Sequence, residues 1–172
     1  MTLQETAEQG VDWLKSQGLE AELYLSQSEE RGIERRDGQL DGVQQSVVEG
    51  AGLRILSGGR MSFACAAGVS LGTVQRLHAQ AVAQLPHLEE DLHKSFIEPQ
   101  PSQPDAALES SLWDEALFSL DWEAVTAKLE QTEAQALSSD KRIGSVLRSG
   151  YGEARGEVVI ASTAGLMTIE RG

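Results

Sequence analysis

Residues 21–70 read AELYLSQSEERGIERRDGQLDGVQQSVVEGAGLRILSGGRMSFACAAGVS, and this stretch decides the predicted fold. Apolar and polar residues alternate from Ala21 to Ser26, which is the pattern of a half-buried strand. Asp37-Gly38 and Gly58-Gly59 each separate two extended segments, and such pairs are typical of tight hairpin turns. We therefore predict a hairpin over residues 53–66 in which Gly58 or Gly59 adopts positive φ.

Further strands and two helices complete the first part of the chain. The predicted strands cover residues 21–26, 33–36, 40–48, 53–56 and 61–66. A helix over 3–17 is indicated by apolar residues at helical spacing, with Thr2 and Glu5 forming a capping box. A second helix begins after Ser70 and ends near Pro86. This order predicts an α+β fold of two layers, with a mostly antiparallel sheet and its helices on one face.

The second part of the chain predicts a separate unit. Residues 97–111 hold three of the four prolines, so they favour a linker. A short apolar patch, a helix and three strands follow, at residues 112–120, 121–137, 143–147, 157–161 and 166–169. We therefore expect a first domain at 1–96, a proline-rich linker at 97–111, and the incomplete beginning of a second α+β domain at 112–172. We expect residues 143–170 to pair with a second copy of the chain or else to be poorly ordered. The alternative is that this segment folds back onto the first domain.

Charge and composition exclude several classes of protein. The net charge is -13, and residues 86–140 carry 13 acidic side chains against two basic ones. Direct binding to nucleic acid or to an anionic membrane needs clustered lysine and arginine, so neither is expected. The single cysteine, Cys65, permits no internal disulfide, and the N-terminus lacks the features of a signal peptide. We expect a cytoplasmic protein.

Residues with catalytic or metal-binding chemistry form no complete constellation in the sequence. His87 and His93 are six positions apart, which places them about 120° apart on a helix and disfavours joint chelation. His78 is expected at the edge of a core, and Cys65 within a strand, without a neighbouring base. We therefore predict no catalytic residue, no metal ligand and no cofactor in this chain. Asp37, Gly38, Gly58 and Gly59 are predicted as structural turn residues.

The sequence also resembles a known family in several ordered phrases. These are AELYLSQSE, RRDGQLDGV, GAGLRILSGGRMSFACA and VSLGTV, which together lie between Ala21 and Val74. Their order and spacing resemble the N-terminal domain of the TldD/PmbA family, which also carries the names modulator of DNA gyrase and peptidase. The segment SGYGEARGEVVIASTAGLMTIERG is similar to the family's next domain, although Thr163 and Ala164 depart from its usual pattern.

This resemblance implies a cytoplasmic protein that assembles as a homodimer or heterodimer and acts on a protein or peptide substrate. In the family, a TldD-type subunit carries a metal-binding H-E-x-x-x-H motif in its C-terminal half, and zinc is the implied metal. A PmbA-type (TldE) subunit lacks that motif. The motif does not occur in these 172 residues, so no ligand is transferred to any residue here.

Three hypotheses follow for the function. The chain is the non-catalytic front part of a TldD/PmbA-type metallopeptidase, contributing to assembly and the substrate chamber. Alternatively, it is the assembly module of a non-catalytic PmbA-type subunit. The third hypothesis is a free-standing α+β interaction domain.

Overall fold

The computed structural model describes residues 1–97, 99, 112–114 and 116–172. Its contacts divide the chain into two compact units. Unit 1 comprises residues 1–28, 48–112 and 156–172, and unit 2 comprises residues 29–47 and 113–155. Both units are therefore assembled from segments that are far apart in the sequence.

Five strands form one sheet in the order β3-β2-β1-β4-β5. The strands are β1 (Glu20–Arg36), β2 (Gln39–Ser57), β3 (Arg60–Ala67), β4 (Arg148–Ser162) and β5 (Met167–Arg171). The pairs β2–β3 and β4–β5 are antiparallel, the first with Ser57 opposite Arg60 and the second with Val159 opposite Ile169. Together with the three α-helices of the described residues, this arrangement confirms the predicted α+β class and antiparallel sheet.

The helices of unit 1 begin where the sequence places their caps. Helix α1 spans Leu3–Ser16, and the Thr2 hydroxyl accepts a hydrogen bond from the Glu5 amide at 3.1 Å. The Glu5 carboxylate in turn accepts from the Thr2 amide at 2.9 Å, which completes the predicted capping box. Helix α2 spans Leu71–Gln84, and its Ser70 cap accepts from the Thr73 amide at 3.1 Å. A 3₁₀ turn over Leu85–His87 then contains Pro86.

The core of unit 1 lies between these two helices and one face of its strands. Alternate residues of β1 and β2 are buried because successive side chains of a strand point to opposite faces. The largest fully buried side chains of this core are Leu14, Leu23, Leu25, Leu53, Ile55, Val74, Leu77 and Val159.

Unit 2 has a smaller apolar core under helix α3 (Trp122–Ser139). Val125 and Leu129 of α3 are buried with Ile33 of β1, and Trp122 and Tyr151 pack against them. Asp121 is the N-cap residue of α3, but its side chain makes no capping hydrogen bond. A 3₁₀ turn over Leu117–Ser119 precedes the helix.

Several strand predictions had the wrong extent. Strand β1 is continuous over 17 residues, whereas two shorter strands were predicted. Strand β2 likewise joins the predicted strands 40–48 and 53–56. The predicted strand 143–147 is wrong, because the chain turns at Asp140 and becomes a strand only at Arg148. The Ile143 amide bonds the Asp140 carbonyl at 2.9 Å, and the Arg142 side chain pairs with the Asp140 carboxylate at 2.6 Å.

The boundaries of the two units differ from the division predicted at 1–96, 97–111 and 112–172. Residues 156–172 belong to unit 1, where Val159 and Ala161 are fully buried in the core. This segment folds back into unit 1. Folding back was the alternative to pairing with a second copy. Residues 29–47 belong with the residues around α3. The predicted linker lies almost wholly outside the described residues.

None of the described helices combines the length and the apolar character needed to cross a membrane.

Candidate functional site

The four predicted turn residues lie in the two tight hairpin connections. Asp37 and Gly38 join β1 to β2 with φ angles of 49° and 77°. Gly58 and Gly59 join β2 to β3 with φ angles of 55° and 70°. Two successive positive φ angles are typical of a type I′ turn, whose twist matches that of the flanking strands.

The histidines and the cysteine are dispersed. The His78 ring makes an edge contact with Trp13, with ring centroids 5.0 Å apart, and burial lowers the pKa of His78. His93 is exposed, and so is Cys65 on β3, opposite Gly52. Within the described residues, no three histidine, cysteine, aspartate or glutamate side chains are grouped as metal ligands.

The most developed polar arrangement is centred on Arg35 in unit 2. Arg35 is only 6% exposed, and its side chain donates to Glu133 at 3.1 Å, to Glu130 at 2.9 Å and to the Gly38 carbonyl at 2.7 Å. Glu133 is also buried and accepts a hydrogen bond from the Ser149 hydroxyl. Hydrogen bonds from Ser149 and Arg35 lower the pKa of Glu133, and the bond to Glu133 raises the pKa of Arg35. Both groups are therefore held in their charged forms.

Two further arginines of unit 2 lie against aromatic rings. The guanidinium carbon of Arg31 is 5.0 Å from the centre of the Trp122 ring and 5.1 Å from that of Phe118. The guanidinium carbon of Arg155 is 4.3 Å from the same Phe118 ring. These distances are typical of cation–π contacts. One phenyl ring is thereby held between a strand β1 arginine and a strand β4 arginine.

Both of these arginines also form ion pairs. Arg31 bonds Glu153, which accepts a further hydrogen bond from the Tyr151 hydroxyl. Arg155 bonds Glu29 at 2.7 Å, and that hydrogen bond lowers the pKa of Glu29. The contacts are reciprocal between β1 and β4, since each strand supplies one arginine and one glutamate.

An open pocket of about 530 Å³ adjoins this arrangement within unit 2. Three of its residues are glycines, one on each of the three strands of the unit, so the pocket is formed where side chains are absent. Arg148 pairs with Glu34 at this pocket. The lining residues are Gly32, Ile33, Glu34, Gly42, Val43, Gln44, Gly150 and Tyr151.

The ion pairs of this arrangement join strands β1 and β4 to each other and strand β1 to helix α3. Arg31, Arg35, Arg148 and Arg155 each bond a carboxylate. Hydrogen bonds that include those from Arg155 and Arg35 lower the pKa of Glu29 and of Glu133, so these two carboxyl groups are poor proton donors near neutral pH. The arrangement can fix strand and helix positions and present a shaped surface.

Sequence reasoning did not identify this network. A signal was available, because Arg31, Ile33 and Arg35 alternate at the spacing that places strand residues on one face. Residues 141–172 also carry five basic side chains against three acidic ones, unlike the rest of this acidic chain. Basic side chains in one segment and acidic side chains in another predict ion pairs if the fold brings the two segments together.

A second pocket of about 580 Å³ lies in unit 1, near the end of α1 and the β4–β5 turn. Lys15, Phe96, Thr163 and Ala164 are among its lining residues. The Thr163 hydroxyl accepts from the Ala21 amide at 2.9 Å, and the Thr163 amide donates to the Ala21 carbonyl at 2.9 Å. Thr163, which departs from the family pattern, therefore fixes the start of β1.

Comparison with known proteins agrees with this fold. Residues 21–85 match the family described as PmbA/TldA metallopeptidase domain 1. A search of curated proteins gives no match.

Three solved structures have the same fold. A candidate modulator of a DNA gyrase from Thermotoga maritima MSB8 has a TM-score of 0.78 and is 15% identical. The match covers 99% of this chain and 37% of the Thermotoga chain. TldE from Thermococcus kodakarensis has a TM-score of 0.78 and 15% identity, covering 96% and 37%. A candidate modulator of DNA gyrase from Bacteroides thetaiotaomicron has a TM-score of 0.77 and 22% identity, covering 97% and 38%.

The chain spans 37–38% of the length of these solved chains. TM-scores of 0.77–0.78 show a shared fold. Sequence identities of only 15–22% give no information about activity. The family assignment rests on the match over residues 21–85, which contains all the phrases that decided the fold. Residues 21–85 are therefore similar to the first domain of the TldD/PmbA family, as the sequence resemblance indicated.

Proposed function

We propose that this chain is a non-catalytic part of a TldD/PmbA-type peptidase assembly, contributing to subunit association and to the walls of a substrate chamber. The observation that carries the proposal is the match of residues 21–85 to domain 1 of a metallopeptidase family. The chain's span of 37–38% of the solved relatives supports it, since those relatives contain much further sequence.

The arrangement in unit 2 supports a scaffolding role for the chain. Four arginines are bonded to carboxylates, and one of them is almost fully buried. Charged groups paired in this way fix the positions of the strands and the helix that carry them. In the proposed assembly, peptide cleavage and zinc belong to a C-terminal metal domain of the complete protein, and the substrate is a protein or peptide. The assembly is a cytoplasmic homodimer or heterodimer.

Zinc content and peptidase activity test this proposal. The 172-residue chain and the protein encoded by its complete reading frame are purified, and zinc is measured by atomic absorption. Cleavage of an unstructured peptide is followed by mass spectrometry, with a chelator as control. We expect neither stoichiometric zinc nor cleavage from the 172-residue chain. One zinc per chain together with chelator-sensitive cleavage would place the chemistry in these residues and refute the proposal.

The identity of the subunit is a separate question with a direct test. The complete reading frame of a catalytic subunit should contain H-E-x-x-x-H, and that protein should bind zinc and cleave the peptide by itself. A reading frame without the motif would make the chain part of a PmbA-type partner, active only when mixed with a catalytic subunit. An open reading frame that ends at Gly172 would instead favour the free-standing interaction domain.

A further inference from the structure

Two Asp-Gly pairs lie close together in unit 2. Asp37-Gly38 forms the turn between β1 and β2, and Asp41-Gly42 lies within β2. All four residues are exposed to solvent. An aspartate side chain can react with the amide of a following glycine, because glycine has no side chain to hinder the approach. The two pairs share this chemistry, so any difference in their reactivity comes from the structure around each.

The backbone of Asp37 is held in an unfavourable conformation. Its φ angle is 49°, and in the described part of the chain Asp37 is the only non-glycine residue with a positive φ. The left-handed region costs an ordinary residue free energy, although aspartate tolerates it better than most. A reaction that lengthens the main chain at Asp37 removes the need for that conformation. The strain at this residue is therefore relieved by such a reaction.

The two groups that react at the turn have no partners to give up. Within the residues that the structure describes, the Asp37 carboxylate has no hydrogen bond or ion pair, and the Gly38 amide donates no hydrogen bond. A Cβ placed on Gly38 would meet nothing within 4 Å, so the space beside this glycine is open. The carboxyl carbon and the amide nitrogen can therefore approach each other without breaking an existing contact.

Asp41-Gly42 differs from the turn in both respects. The Asp41 carboxylate is paired with Arg36 at 3.3 Å. Both residues lie inside β2, whose backbone is held extended by its pairing with β1. A reaction there must first release the strand locally, and the loss of one main-chain hydrogen bond is enough to slow a reaction by about tenfold. The second pair is therefore an internal control with the same chemistry and similar exposure.

We propose that Asp37-Gly38 is a site of spontaneous isomerisation from aspartate to isoaspartate. The Asp37 carboxylate takes up a proton, and the Gly38 amide nitrogen attacks its carboxyl carbon. A C–N bond forms, and the carboxyl OH leaves with the amide proton as water. Water then opens the five-membered succinimide ring at the main-chain carbonyl, which leaves the chain linked through the Asp37 side chain and frees an α-carboxyl group that returns the proton. One water is lost and one is regained, so no other reactant is needed.

The product changes what the turn contributes to unit 2. The Gly38 carbonyl accepts a hydrogen bond from Arg35 at 2.7 Å, and Arg35 is 6% exposed and bonded to Glu133 of α3. Isoaspartate adds one carbon to the main chain before Gly38, which breaks the geometry of a two-residue type I′ turn. The carbonyl then moves away from Arg35, and a buried N–H group that loses its acceptor is destabilising. Isomerisation should therefore loosen the turn against Arg35, an effect separate from the proposed non-catalytic role.

Incubation of the purified 172-residue chain at neutral pH and physiological temperature over several weeks tests the site. Digestion after glutamate gives the peptide 35–49, which contains both Asp-Gly pairs. Electron-transfer fragmentation distinguishes isoaspartate from aspartate at each position, although the mass of the whole peptide is unchanged. We expect isoaspartate to accumulate at residue 37 at least about tenfold faster than at residue 41. No isoaspartate at residue 37, or equal accumulation at the two positions, would overturn the proposal.

Two variants assign the reaction independently of fragmentation. Asp37→Gly removes the carboxyl group and keeps a residue that tolerates positive φ, so the turn is preserved. Total isoaspartate, measured by an isoaspartyl methyltransferase with a labelled methyl donor, should fall to the background level in this variant. Asp41→Ser is the matched control and should leave the total close to that of the wild-type chain. A total that falls in Asp41→Ser and persists in Asp37→Gly would contradict the assigned site.

Hydrogen exchange tests the effect on unit 2. The isoaspartate form is separated from the aspartate form by chromatography, and deuterium uptake of the peptide 35–49 is compared. We expect faster uptake in the isoaspartate form, because the turn has lost its hydrogen bond to Arg35. Asp37→Gly incubated for the same time should exchange at the rate of its fresh sample. Equal uptake in the two separated forms would show that the turn remains attached and would overturn the proposed loosening.

Discussion

Comparing the variants Gly58→Val and Gly59→Val separates the effect of backbone strain on stability from the effect of side-chain packing. Gly58 has φ of 55° and Gly59 has φ of 70°, both in the left-handed region that side chains disfavour. A Cβ on Gly58 would meet only the end of the Arg60 side chain, at 3.7 Å. A Cβ on Gly59 would lie 3.0 Å from Glu90 Cγ and 3.3 Å from the Asp91 carbonyl group.

The free-energy cost of the left-handed backbone conformation is common to both variants. A left-handed conformation costs an ordinary residue about 1–2 kcal/mol, so Gly58→Val should destabilise by about that amount. In Gly59→Val the added side chain also meets the backbone of Asp91, whose amide donates to the Gly59 carbonyl at 2.9 Å. Forcing atoms into a packed site costs about 1–3 kcal/mol more. Gly59→Val should therefore destabilise by about 2–5 kcal/mol in total.

Urea unfolding followed by circular dichroism measures both variants against the wild-type chain. Gly58→Ala and Gly59→Ala serve as controls with a smaller side chain and the same backbone requirement. Equal losses at the two positions would show that contact with the 90–91 segment contributes nothing. A Gly59→Val chain as stable as the wild type would refute the assigned turn conformation itself.

Three further measurements test the core of unit 1 and two side chains whose pKa is shifted, His78 and Glu133. Leu53→Ala in the core of unit 1 should cost about 2–5 kcal/mol, whereas Val43→Ala at an exposed position should change the free energy of unfolding by about 0.5 kcal/mol or less; similar losses in urea titrations would contradict the assigned burial. Burial lowers the pKa of His78 below its ordinary value of 6.5, so stability should be complete above pH 6.5 and fall as the pH decreases from there; His78→Gln should remove that part of the pH dependence. Hydrogen bonds lower the pKa of Glu133 below 4.5, so its contribution should be present above that pH and be lost as the pH falls through the lower folded-state value; an unchanged acid-unfolding profile in Glu133→Gln would contradict it.

Local signals in the sequence were sufficient for the helices and turns. The capping box at Thr2 and the two hairpin turns depend on residues a few positions apart, so each could be read from one short window. The extent of β1 could not be read in this way. Its middle residues, around Glu29 and Glu30, are polar and give no apolar alternation, yet they continue the strand because Arg155 and Gln45 bond Glu29 from other strands.

The site residues were harder to predict because their partners are distant in the sequence. Arg35 and Glu133 are separated by 98 positions, and Glu29 and Arg155 by 126. Each residue alone reads as a solvated charge, and only the strand order brings the partners together. The predicted strand at 143–147 failed for a related reason, since Arg142 and Asp140 form a local turn that apolar content alone does not reveal.

The hydrogen bonds between Ala21 and Thr163 join residues that are 142 positions apart. During synthesis on the ribosome, β1 emerges long before β4. The core of unit 1 therefore lacks the contribution of β4 while most of the chain is being made. The part of that core that Val159 and Ala161 cover stays open until β4 is made, although the other buried residues of the core lie between residues 3 and 81. Contacts of such long range slow folding and prolong the exposure of apolar surface. Nascent chains of this protein are therefore expected to depend on chaperones, and pausing of translation before residue 159 should increase their aggregation.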